Sequence, residues 1–228
     1  RRFDVPVKLL WTREDDLIHD QYRPGGIYAF KGAVSREGRV VAMQNHLIGG
    51  SVRGVATAGT RLSRDEFPAL NIDHYRAAVS LIDTNTPTGS WRAPGSNATG
   101  WAVQSFIDEL AHAAGRDPVE HLIEMMGEPR WFEEGSTGSL NTGRAVDVIK
   151  LAAEQSGWGK ALPAGHGMGI AFHFSHAGHV AEVAEVSVDA NNKVTVHRVT
   201  AAVDIGPVIN MSGAIKQVQG AVFDGISS

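Results

Sequence analysis

Two segments of the chain bring together residue types suited to holding an oxygen-rich ligand. The first is Ser90-Trp91-Arg92-Ala93-Pro94-Gly95, directly before a helical pattern. A Trp, an Arg, small or rigid residues and a Gly at a helix entrance let backbone N–H groups face an oxygen or a phosphate. The same residues also suit a plain tight turn. The second is Val203-Asp204-Ile205-Gly206-Pro207-Val208-Ile209-Asn210, followed by Gln217-Val218-Gln219-Gly220. A strand ends there in Asp-x-Gly, and a helical glutamine follows seven residues after Asn210. A primary amide donates and accepts at once, which suits the edge of a polar heterocycle.

Other constellations point away from common chemistries. His166, His173, His176 and His179 cluster in sequence, but a metal needs imidazoles that converge on one point. On one extended strand His173 and His179 share a face and His176 takes the other. No carboxylate sits among them, so they read as strand and turn histidines with no metal. Gly165-His166-Gly167-Met168-Gly169 superficially resembles a dinucleotide loop, yet Ile170 to Phe174 continue as strand where such a loop opens a helix. The glycines read instead as close-packing positions. No Gly-x-Ser-x-Gly elbow is present. Asp108 and Glu109 are adjacent on a helix, diverge by about 100° and cannot work as a carboxylate pair.

The elements that must position these residues follow from pattern. Val5 to Trp11 reads as a buried strand and Thr12 to Asp16 as a charged loop. Residues 27–34 and 39–48 read as strands joined by a hairpin at Gly38, whose freedom at positive φ suits a short turn. Residues 53–90 have no clean period and read as mostly loop. Ala98, Ala102, Val103, Phe106, Ile107, Leu110 and Ala114 form one apolar stripe, so a helix spans about Asn97 to Ala114 and ends at Gly115. Asp117 caps a second helix with Pro118 at its first position and Val119, Leu122, Ile123 and Met126 buried. A third helix runs from about Arg144 to Gln155 and stops at Gly157. Val180–Val188 and Lys193–Val203 form a second hairpin, and a last helix begins near Ser212. Strands, then helices, then strands and a helix give an α+β class, with mixed sheets and packed helices.

Composition narrows the partners. The 228 residues carry 21 Lys and Arg against 25 Asp and Glu, a net charge of -4, so no basic field exists for a nucleic acid. No stretch approaches the ~20 apolar residues of a membrane-crossing helix. There is no cysteine, so disulfides, thiolate ligation of an iron–sulfur cluster and thiol nucleophiles are excluded here. Any redox function needs a cofactor held by other means, or a partner. The chain starts on Arg1 and stops inside a helical pattern, which reads as part of a longer polypeptide.

Taken together, Leu10-Trp11-Thr12-Arg13-Glu14-Asp15-Asp16 with Tyr22-Arg23-Pro24, then Trp91-Arg92-Ala93-Pro94-Gly95, Glu109-Leu110-Ala111 and Asp117-Pro118-Val119-Glu120, then Asp204 to Gly220, resemble the large subunit of the molybdenum hydroxylases. This is the xanthine oxidase and aldehyde oxidase family, and the isoquinoline 1-oxidoreductase beta-subunit branch looks nearest. The resemblance implies a molybdopterin-binding region in two parts, 1–160 and 161–228, the second cut short at the C-terminus. It implies molybdenum on a pterin dithiolene, as the cytosine dinucleotide, in the full-length protein and none in the fragment alone. It implies hydroxylation of an aldehyde or N-heterocyclic carbon with oxygen from water. Electrons would leave to a small 2Fe-2S subunit, and a homo-oligomer is compatible with it.

Carried over residue by residue, Arg92 and the backbone of Ala93 would lie by the metal's ligands and Gln217 would bond the pterin. Pro94 stands where many relatives carry an aromatic that stacks on the substrate. The family's glutamate base is expected beyond Ser228, and no Glu of this chain is assigned to it. The compartment stays open between cytoplasm and periplasm. The competing reading is a non-catalytic α+β binding or scaffold module that retains the fold.

Overall fold

A computed structural model describes residues 4–62, 67–90 and 92–227. Trp91 lies outside the described residues. The elements run α1 (Arg13–His19), β1 (Gly26–Val34), β2 (Val40–Val52), β3 (Val55–Ala56), β4 (His74–Asp83), α2 (Ser96–Ala113), α3 (Pro118–Met126), α4 (Thr142–Ser156), β5 (His166–Ser175), β6 (Gly178–Val188), β7 (Val194–Asp204) and α5 (Met211–Ser227). The class is α+β. Among the described residues no helix is long and apolar enough to cross a membrane.

The first sheet is built on β2. The hairpin partner β1 runs antiparallel to it, β4 runs parallel along its other edge, and β3 adds a two-residue pairing at its end. Gly38 takes φ 84° in the β1–β2 turn. The second sheet is an antiparallel meander, β5-β6-β7. Its inward residues Phe172, Ala181 and Val183 are fully buried beneath α4, whose Ala145, Ile149 and Ala152 are equally enclosed. Small residues on both sides let helix and sheet approach closely.

The helix α2 joins the two sheets. Gly32 on β1 has no Cβ where one would stand 2.7 Å from Leu110, and Phe106 stacks on Phe30 at 4.9 Å. At the other sheet, Gln104 Oε1 accepts the backbone N–H of Phe172 at 2.9 Å. That bond satisfies part of the open edge of β5.

Helix ends follow local chemistry. Gly115 (φ 64°) closes α2 as the N–H of Arg116 reaches Ala111 O and that of Gly115 reaches His112 O, a Schellman arrangement. Asp117 accepts from Val119 N–H and Glu120 N–H ahead of Pro118. Gly157 ends α4 in the left-handed region. The predicted helix over 97–114 is therefore present with both its ends.

Four expectations are corrected. Val5 to Trp11 is exposed irregular chain, not a buried strand. Thr12 is not in a loop but caps α1, with Asp15 completing a reciprocal capping box. The stretch 53–90 contains β4, a ten-residue strand that buries nothing fully, so alternation never marked it. Gly167 and Gly169 face open space rather than tight packing; only Gly165, at φ 78° and with Val188 O 3.0 Å from an ideal Cβ, has a steric reason.

Candidate functional site

The loop 92–95 is held from beneath. Thr57 Oγ1 donates to Gly50 O on β2, and Thr57 and Thr60 hydroxyls bond each other at 3.0 Å. This seats Gly59, at φ 92°, against the loop; a Cβ there would meet Pro94 O at 2.6 Å. Only glycine fits both the backbone angle and the approach. From the other side Asn97 donates through Nδ2 to Arg92 O and through its N–H to Ala93 O. Between these anchors Ala93 is left at φ 54°, a left-handed conformation that a Cβ disfavours. Gly95 precedes α2 and no side chain caps the helix start.

The second segment meets the first. Asn210 Oδ1 accepts from Gly213 N–H at 3.0 Å and from the Ser212 hydroxyl, starting α5. One turn on, Gln217 Oε1 accepts from Arg92 Nη2 at 3.0 Å. Arg92, Ala93 and Gln217, chosen from two segments 125 residues apart, thus lie at one place, and both side chains that meet there are solvent-exposed. Asp108 and Glu109 are exposed on α2 and take no part.

The histidines do not act as a group. β5 turns back at Ser175, so His173 and His179 lie on different strands and the single-strand parity expected for them does not apply. His176 and Ala177 form the two-residue turn, both at positive φ (51° and 63°). The Ser175 hydroxyl bonds His176 Nδ1 at 2.7 Å and receives the Ser96 hydroxyl at 3.4 Å, so this hairpin tip touches the start of α2. His166 stacks on His197 at the far end. Among the described residues no three His, Cys, Asp or Glu side chains are grouped to hold a metal.

A charged assembly that spacing did not reveal lies where β7 ends. Arg144, in the first turn of α4, donates Nε to Asp204 Oδ2 at 2.6 Å and Nη2 to Oδ1 at 2.7 Å. The guanidinium holds the Asp204 carboxyl at about 2, well below the usual carboxylate range. His179, pairing with Asp204 across β6 and β7, is fully buried. Its Nε2 accepts the Asn141 N–H at 3.0 Å. Burial, with Arg144 nearby, pushes its pKa down to about 4. One sequence signal was available: a cation in the first turn of a helix opposes the helix dipole and calls for a carboxylate.

Two family profiles, each described as a molybdopterin cofactor-binding domain, match residues 1–123 and 69–228. A membrane-bound aldehyde dehydrogenase [pyrroloquinoline-quinone] of Gluconacetobacter polyoxogenes is 28% identical over 97% of this chain and 32% of its own length. The isoquinoline 1-oxidoreductase subunit beta of Brevundimonas diminuta is 28% identical over 100% of this chain and 29% of its own. The chain therefore spans about a third of the length of these relatives. Among solved structures, the aldehyde oxidoreductase of Desulfovibrio desulfuricans superposes with a TM-score of 0.50 at 17% identity, over 78% of this chain and 21% of that one, a likeness of fold.

Proposed function

The chain belongs to the molybdopterin cofactor-binding domain family, and from that premise we propose that it forms one wall of the cofactor cleft in a molybdenum hydroxylase large subunit. Residues 1–160 would be the first part of the binding region and 161–228 the start of the second. The donor set suits such a group: a guanidinium, a primary amide and the backbone at a helix start without a side-chain cap. Bound, the group would supply a redox-active metal centre for hydroxylating an aldehyde or N-heterocyclic carbon. The cytosine dinucleotide form and a small 2Fe-2S subunit as electron acceptor belong to the same proposal.

This chain's own residues would bind and orient. Arg92 presents its remaining N–H donors, in a planar fork, beside the one spent on Gln217. Gln217 would set the rotation of the heterocycle through its amide. Ala93, forced to positive φ, would turn its backbone toward the cleft. No glutamate of this chain is given the role of base.

The observation that carries the reading is the Arg92–Gln217 hydrogen bond, which joins the two side chains selected on other grounds. The test is molybdenum and pterin content per chain in the full-length protein, for Gln217→Ala and Gln219→Ala side by side. The two positions point about 200° apart on a helix. Gln217→Ala should lower retention ten- to a hundredfold, about 1–3 kcal/mol for unpaired polar groups, and Gln219→Ala should change it little. Equal loss for both, or wild-type protein that carries a quinone and no molybdenum, would overturn the proposal.

A further inference from the structure

The helix α5 buries no residue. The chain that leads into it and the bond from Arg92 both help place it beside the loop 92–95. That leading segment, 205–210, leaves β7 at Asp204, where the paired carboxylate does two things. It takes two N–H donors from Arg144, and its Oδ1 also accepts the Gly206 N–H at 3.3 Å. The departing chain is thereby turned at Gly206, φ 79°, and fixed to the first turn of α4.

The anchor is itself braced. Asn141 caps α4 by accepting Arg144 N–H at 3.0 Å, and the Asn141 N–H donates to the enclosed His179 ring. Arg144 also lies over the Trp131 ring at 5.9 Å. A bidentate fork fixes direction as well as distance, which a point charge does not.

Resting on the reading above, we infer that Arg144 and Asp204 are positioning residues. Their clamp aims the segment 205–217 so that Gln217 meets Arg92 and the cofactor wall is preformed. Neither residue touches the cofactor. Their side chains are only partly covered, at 27% and 38% exposure, so the pair does not owe its place to the core.

The experiment uses the full-length protein with Asp204→Asn, Arg144→Lys and, as control, Glu124→Gln, which removes the charge from the separate ion pair between Arg116 and Glu124 of α3. Lys216 is the sole tryptic site between Arg198 and Ser228. In cofactor-free protein, the rate of tryptic cleavage after Lys216 therefore reports how firmly α5 is held. Cleavage after Arg36, in the β1–β2 turn, serves as internal reference. Asp204→Asn should speed the Lys216 cut about tenfold relative to the Arg36 cut, since local opening controls proteolysis. It should also lower molybdenum and pterin per chain in the holoprotein.

Arg144→Lys keeps the charge without the fork and should fall between wild type and Asp204→Asn in both readouts. It carries the test if Asp204→Asn does not fold. Glu124→Gln should leave both readouts at wild-type values. An unchanged cleavage ratio, or a changed ratio with cofactor content untouched, overturns the inference. Cofactor lost on Gln217→Ala but kept on Asp204→Asn overturns the clamp while the proposed site stands. If Gln217→Ala keeps its cofactor, the proposed site falls whatever the Lys216 cut shows.

Discussion

His179 is a neutral base enclosed between charges, with Phe172 and Phe174 rings at 6.4 and 4.9 Å and Arg144 and Asp204 alongside. The bond from Asn141 N–H requires an unprotonated Nε2. A folded pKa of about 4 lies below the unfolded value of about 6.5. The unfolded chain therefore takes up the proton first, and the stability present above pH 6.5 is lost as pH falls toward 4. Asp204, held at about 2, loses its contribution in a lower window, from about 3.9 downward. Denaturant unfolding measured across pH should show a first decline between about 6.5 and 4 and a second below it. His179→Gln retains an acceptor for Asn141 but does not titrate, so it should shrink the first decline, to which His121 and His173, also pushed down by burial, contribute the rest, at some cost in overall stability. A first decline undiminished in His179→Gln would assign it to His121 and His173 instead.

At the scale of elements, the α2–α3 corner concentrates backbone chemistry in three residues. Asp117→Ala removes a cap from two N–H groups and also the acceptor of the Trp158 indole N–H at 2.8 Å, so a loss of about 1–2 kcal/mol is expected. Gly115→Ala, with open space around it but φ 64°, should cost about 1 kcal/mol through strain alone. Both are read from denaturation midpoints at constant slope. This corner was legible in the sequence because its determinants are adjacent residues. The strand β4 was not, because its partner is the distant β2 and solvent reaches most of both its faces. The short α1 was not legible either: with no apolar stripe to bury, its charged run reads as loop, although Thr12 and Asp15 form a capping box. At the site, Arg92, Ala93 and Gln217 came from resemblance rather than spacing. No periodicity predicts a bond across 125 residues.

For the whole molecule, the two sheets share one buried cluster, from Met43 and Phe67 through Ile107 to Ala202, and α2 is in contact with both. The loop 92–95 is the start of that helix, so the geometry at Arg92 depends on how firmly α2 is held. On the first sheet the grip is distributed, apolar through Phe106, Leu110 and the bare backbone at Gly32, and polar through the Tyr28–Thr99 hydroxyl bond at 3.0 Å. On the second it includes two directional contacts, the long Ser96–Ser175 hydroxyl bond and Gln104 Oε1 on the Phe172 N–H, with Gln104 itself buried. Gln104→Met keeps the volume and removes the acceptor. It leaves a buried N–H unpaired at the edge of β5, and the expected cost is about 1–3 kcal/mol. Gln104→Glu keeps an acceptor but places a carboxylate in a buried position, so it should be destabilising at neutral pH and recover as the carboxyl protonates in acid. The pair of variants separates hydrogen bonding from packing at this position: unfolding midpoints for Gln104→Met equal to wild type would mean that the Gln104–Phe172 bond does not help fix α2 to the second sheet.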